Sequence, residues 1–85
     1  MQIGNTELYQ IRNGKINPYQ DRASIFVKLE SQNPTKSIKD RMVYHILSQA
    51  KKTSSDETTF VSASSGNTGT SLAYFCKQFN FNCII

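Results

Sequence analysis

Two stretches of helical period, each set between short runs of β-branched and apolar residues, constrain this chain more than anything else in it. "ELYQI" (7–11) is a weak strand candidate. "IFVKLE" (25–30) alternates Ile25, Val27 and Leu29 against Phe26, Lys28 and Glu30, which is the period of a strand. A helical pattern then runs from about 38 to 52, followed by the β-branched strand "TTFVSA" (58–63). A second helical pattern leaves the turn "SSGNTG" (64–69) and runs to about Phe79, where Asn80 suits the left-handed conformation that ends a helix. "FNCII" (81–85) starts another strand, and "NGKINPYQDRAS", "SQNPTK" and "KTSSDE" are polar connections. Strand and helix in this alternation predict an α/β fold with a mostly parallel sheet. A strand finishing on Ile84 and Ile85 would leave an apolar edge bare, which soluble proteins avoid. Residues 1–85 are therefore expected to be a partial, N-terminal portion of a longer domain.

Composition removes several classes of function. With 38% hydrophobic residues the chain can build a core and does not read as disordered. Ten basic against six acidic residues give a charge of +4, but only Lys51 and Lys52 are adjacent. A nucleic-acid partner would need clustered or aromatic-interleaved cations on one face, so none is expected. "MQIGNTELYQ" carries no export signal and no apolar run is long enough to span a bilayer, so no membrane partner is expected either. Cys76 and Cys83 are too few for a disulfide framework or a zinc site. No metal is expected, and buried free thiols suit a reducing, cytoplasmic setting.

Within "NPTKSIKDR" (33–41) one residue is out of place. On a helical wheel of about 100° per residue, Ile38, Met42, Val43, Ile46, Leu47 and Ala50 share one side, and Asp40, Arg41, Tyr44, His45, Ser48, Lys51 and Lys52 share the other. Lys39 falls near the middle of the apolar arc, at the angle of Ile46. Ser37 and Asp40 match the serine-x-x-acid capping pattern, which would start the helix at Ile38 and put Lys39 in its first turn. Apolar surroundings and the positive end of the helix dipole both disfavour an ammonium there. A neutral lysine is a nucleophile whose usual chemistry is Schiff-base formation with a carbonyl. The competing reading is a lysine that snorkels past the first turn into solvent.

The second motif bears on that choice. In "SASSGNTGTSLAYF" the face formed by Leu72, Ala73, Phe75, Cys76 and Phe79 includes Gly69, where the helix is expected to rest closely on the sheet. Gly66 lets backbone approach a bound group, while Ser64, Ser65, Asn67 and Thr68 offer donors at a helix N-terminus, an anion site in form. The motif is neither a Walker loop nor a dinucleotide fingerprint.

Taken in order and spacing, "IGNTELYQI", "KLESQNPTKSIKDR" and "SASSGNTGTSLAY" closely resemble the fold type II pyridoxal-phosphate enzymes of the cysteine synthase and cystathionine β-synthase family. The resemblance covers nearly the whole chain. It implies the three-layer parallel sheet of the tryptophan synthase β-like type, of which only an N-terminal portion is present. It places the family's Schiff-base lysine on Lys39 and its cofactor-binding asparagine on Asn67. It makes Ser64, Ser65, Gly66, Asn67 and Thr68 the cradle for a substrate α-carboxylate. The implied cofactor is pyridoxal 5'-phosphate, and the implied reaction is β-replacement on an O-acetylserine- or serine-like amino acid, in a full-length homodimer.

The family's glycine-rich phosphate cup and its partner for the pyridine nitrogen come later in the chain, so these residues alone are expected to be inactive. Ser64 stands where threonine is usual, Lys36 where glycine or a bulky apolar residue is common, and Glu7 where proline is frequent. Threonine synthase or another lyase of the same fold is the second reading. A small non-catalytic α/β anion-binding module, in which Lys39 snorkels, is the third. His45 receives no role.

Overall fold

The computed structural model of the protein describes residues 2–54 and 57–85. Ser55 and Asp56, part of the expected "KTSSDE" connection, lie outside them with Met1. β1 (Leu8–Ile11) and β2 (Ile25–Lys28) pair antiparallel, Leu8 opposite Lys28 and Ile11 opposite Ile25. A short 3-10 turn, Glu30–Gln32, leads toward α1 (Lys39–Lys51). β3 (Thr59–Val61) and β4 (Asn82–Ile84) pair parallel, Phe60 opposite Cys83, with α2 (Asn67–Phe79) as their crossover.

The β3–α2–β4 unit has the parallel arrangement that the alternation predicts. The β1–β2 ribbon does not, and it stands as a separate two-stranded sheet. A period of two tells which residues share a face, but not which strand lies alongside. That choice is made in the 13–24 connection, where the buried Asn17 donates from Nδ2 to the Ala23 carbonyl at 3.0 Å and accepts from the Tyr19 N–H at 3.2 Å, folding the chain back. All four β2 residues are exposed, so the ribbon contributes little core.

The core lies between α1 and α2. Val43 and Leu47 from α1 meet Leu72, Phe75 and Cys76 from α2, and Phe81 closes one end. Phe60 and Phe81 pack edge to face at 4.9 Å between ring centres, and Tyr44 reaches Phe75 at 5.7 Å and Phe79 at 5.5 Å. Aromatic contacts of this kind add to simple area burial. Asn80 adopts φ 61°, ψ 40°, and its N–H and that of Phe81 return to the last carbonyls of α2, ending the helix as expected. Cys76 is buried and Cys83 half-buried, both as free thiols. Burial, and then the neighbouring Cys83, push the Cys76 thiol up to about 11.

The apolar arc of α1 divides along its length. Val43 and Leu47 turn onto α2, but Ile38, Met42 and Ile46 are 55%, 45% and 49% exposed. Val61, Ile84 and Ile85 continue this open apolar surface on the parallel pair. The outline agrees: the Cα radius of gyration is 17.3 Å, against about 12 Å for a compact chain of this length.

Candidate functional site

Lys39 is the first residue of α1. The expected start is Ile38 with Ser37 as its cap; instead Ile38 takes the cap position, and Ser37, one residue earlier, still supports the start by accepting the Lys39 N–H at 3.2 Å. The second half of the expected capping box is different. Asp40 does not reach back to Ser37; its Oδ2 accepts the Thr35 N–H at 2.7 Å and its Oδ1 accepts the Thr35 hydroxyl. Oδ1 also accepts the hydroxyl of Ser71, on α2, at 2.7 Å. The wheel assigns Asp40 to the polar side, yet it is completely buried. A wheel reports angle, and at this angle stand the preceding loop and the neighbouring helix rather than water. Lys39 itself is half-buried, beside the open edge of α1, and its side chain makes no hydrogen bond or ion pair among the described residues.

Behind this turn lies a second set of buried polar contacts that sequence reasoning missed. Asn33 is fully buried, and its Oδ1 accepts the Gly4 N–H at 2.8 Å. Its Nδ2 donates to Glu30 Oε2 at 2.8 Å and to the Ser37 carbonyl at 3.0 Å. Glu30 also pairs with Arg41, whose Nη2 lies 3.3 Å from Thr6 Oγ1. Arg41 and Tyr44, which the wheel sets on the polar side of the helix, are thus an ion-pair partner and an aromatic packing partner. The Arg41 guanidinium holds the Glu30 carboxyl below its usual value, helped by Thr6 and Asn33. Gly4 has φ 77°, and a Cβ there would lie 2.8 Å from Arg41 Nη1, so backbone and space both favour glycine. Lys36, where the resembled family commonly has glycine, is also left-handed at φ 72°. The positions that join these residues carry one available signal, an asparagine fixed just before a proline and an acid in the first helical turn.

The second motif is far more open. Ser64 Oγ accepts the N–H of Gly69 at 2.9 Å and that of Gly66 at 3.3 Å, capping α2 from two residues before its Gly66 cap position. Ser65, Gly66 and Asn67 are exposed, and a Cβ on Gly66 would meet nothing within 4 Å. The N–H groups of Asn67 and Thr68 have no acceptor among the described residues. Thr68 is half-buried and lines a cavity of about 180 Å³ with Met42, Ile46, Leu47 and Val61. Gly69 rests as closely as expected: a Cβ there would lie 3.1 Å from Ile85 Cγ2 and 3.3 Å from Ser64 Oγ.

These residues fit a carbonyl-bearing, anionic cofactor and an amino-acid carboxylate. An amine without a bonding partner opens one helix, and unpaired N–H donors beside a glycine with open space open the other. The structure joins the two motifs through Asp40 and Ser71, the neighbour of Lys39 and the residue one turn beyond Asn67.

The chain is similar to several known proteins. A cysteine synthase B from Campylobacter jejuni is 38% identical over 84 residues, covering 96% of this chain and 26% of the relative. A cysteine synthase from Staphylococcus aureus is 33% identical, with the same coverage of 96% and 26%. Among solved structures, a hydrogen sulfide-producing enzyme from Fusobacterium nucleatum matches with a TM-score of 0.79 at 37% identity, over 96% of this chain and 27% of that one. An O-acetylserine dependent cystathionine beta-synthase from Helicobacter pylori matches with a TM-score of 0.82 at 30% identity, over 95% and 27%. The chain therefore spans about a quarter of the length of the curated relatives it matches. A model of the family described as pyridoxal-phosphate dependent enzyme matches residues 1–85. The chain belongs to the pyridoxal-phosphate dependent enzyme family, and its α/β fold is that of an N-terminal portion of a fold type II member.

Proposed function

We propose that residues 1–85 form the N-terminal portion of a catalytic domain that performs β-replacement on an O-acetylserine- or serine-like amino acid. The observation that carries this reading is Lys39, a half-buried amine at the first position of a helix whose apolar edge stands open beside it. The cysteine synthase names of the relatives favour this branch over threonine synthase.

Pyridoxal 5'-phosphate, when bound, supplies the electron sink for breaking the bonds at the substrate α-carbon. Lys39 Nζ would hold the cofactor at its carbonyl carbon, and as a free amine it would take the α-proton and return it. Asn67 hydrogen-bonds the cofactor ring from the first position of α2. The N–H groups of Asn67 and Thr68, with the Ser65 hydroxyl, bind the substrate carboxylate, and Gly66 leaves room for it. Ser64 holds this turn in shape, since its oxygen already accepts two backbone N–H groups and only its hydroxyl hydrogen is left to donate. The full-length protein is proposed to be a cytoplasmic homodimer; no described helix is long and apolar enough to cross a membrane.

The test is covalent labelling of the full-length protein. Borohydride reduction should fix the cofactor's mass on the peptide containing Lys39, and Lys39→Ala should abolish the cofactor's visible absorbance from covalent attachment. A label on another lysine would remove Lys39 from its role.

A further inference from the structure

We infer that Asp40 is a positioning residue that locks the turn carrying Lys39 to the helix carrying the substrate loop. The inference rests on the function proposed above and adds to it a group that touches neither cofactor nor substrate. Three donors from two directions converge on this one carboxylate. The Thr35 N–H at 2.7 Å and the Thr35 hydroxyl come from the loop before α1, and the Ser71 hydroxyl at 2.7 Å comes from α2. Asp40 and Ser71 are both completely buried, so water cannot replace either partner.

Their places in the chain give the contact its meaning. Asp40 directly follows Lys39, about 100° around the helix, so one residue faces the interface while the other faces the open edge. Ser71 follows Asn67 by one turn on the same side of α2. A sliding of α1 against α2 therefore displaces Lys39 relative to Asn67 and the Gly66 turn. Misplacement of a reacting group by about 1 Å can cost ~100-fold in rate. An asparagine meets the three donors less well: to keep an acceptor for the Thr35 N–H it turns its NH₂ to the Thr35 and Ser71 hydroxyls, which must rotate to accept, and the charge-assisted bonds are lost.

The experiment uses the full-length holoprotein with Asp40→Asn, Ser71→Ala, their double variant and the milder pair Thr35→Val and Thr35→Ser. Asp40→Asn should lower kcat about 30- to 100-fold while KM for the amino acid changes less than about threefold. It should also slow borohydride-trappable attachment at Lys39, a readout independent of turnover. Ser71→Ala should lower kcat about tenfold, and the double variant should lose little beyond Asp40→Asn, since both disturb the Asp40–Ser71 contact and Asp40→Asn disturbs the Thr35 bonds besides. Thr35→Val should weaken kcat and Thr35→Ser restore it, which keeps the test alive where Asp40→Asn does not fold. Wild-type kcat and attachment rate in folded Asp40→Asn, or in Thr35→Val where Asp40→Asn does not fold, would overturn the inference, as would additive losses in the double variant. Failure of wild type to label at Lys39 would instead overturn the proposed function. The denaturation midpoints of the same four-member cycle would then still decide whether Asp40 and Ser71 clamp the helices.

Discussion

The turn that carries Lys39 and the turn that opens α2 are both small-residue approaches to a helix, yet they are held in opposite ways. Around Lys39, the side chains of Asn33, Ser37 and Asp40 bond to the backbone of Gly4, Ser37, Lys39 and Thr35, so the loop is fixed from within. Around Gly66, Ser64 is the one side chain holding backbone N–H groups from the loop, and the next three residues stand exposed. The difference teaches where rigidity is placed. Under the proposed function, a covalent anchor at Lys39 has to be held at one geometry before anything binds, whereas a loop that receives a carboxylate keeps its donors unpaired until the carboxylate arrives.

The largest break in this contrast should come from Asn33→Ala. It strands the buried Gly4 N–H and the Ser37 carbonyl and removes a donor from Glu30, at an expected cost of about 2–4 kcal/mol. Chemical denaturation of the full-length protein measures it. A loss below about 0.5 kcal/mol would mean that the Lys39 turn holds its shape without the asparagine.

On the open side, two adjacent serines should separate cleanly. Ser65→Ala should leave the melting temperature unchanged and weaken the amino-acid carboxylate by about 1.5–3 kcal/mol, the worth of one charge-assisted hydrogen bond. Ser64→Ala should instead cost about 1 kcal/mol of stability through the lost cap. Equal effects of the two on affinity and stability would erase the distinction drawn between them.

The smallest effect should be a pH dependence confined to the anchored side. Because Arg41 first, and then Thr6 and Asn33, lower the Glu30 pKa from 4.5, the folded state binds that proton less readily than the unfolded chain. The stabilisation is present above 4.5 and is lost as pH falls through the lowered value. Glu30→Gln should flatten this part of the acid-denaturation profile. An unchanged profile would show that the pair with Arg41 contributes nothing in solution.

What could be read from the residues depended on how far apart the interacting groups lie in the chain. The end of α2 at Asn80 and the tight seat of Gly69 were legible, because a left-handed cap and a missing side chain leave local marks. So was the odd place of Lys39, since helical angle is a local property. The burial of Asp40 was not, because Ser71, which satisfies it, is 31 residues away. The antiparallel β1–β2 ribbon was hidden for a similar reason, its pairing being decided by how Asn17 folds the intervening connection. For Ser64, read as a ligand donor, the structure adds a role that the residues did not announce: its oxygen accepts two backbone N–H groups, and its hydroxyl hydrogen remains to donate.

Cys76 has a consequence in reactivity. With its thiol pushed up to about 11 by burial and by Cys83, the group stays protonated at neutral pH, and the thiolate is the form that attacks oxidants and electrophiles. Sulfur at this position serves as a small, polarizable hydrophobe inside the α1–α2 contact. The contact is therefore shielded from oxidative damage by the same packing that the residue helps to complete.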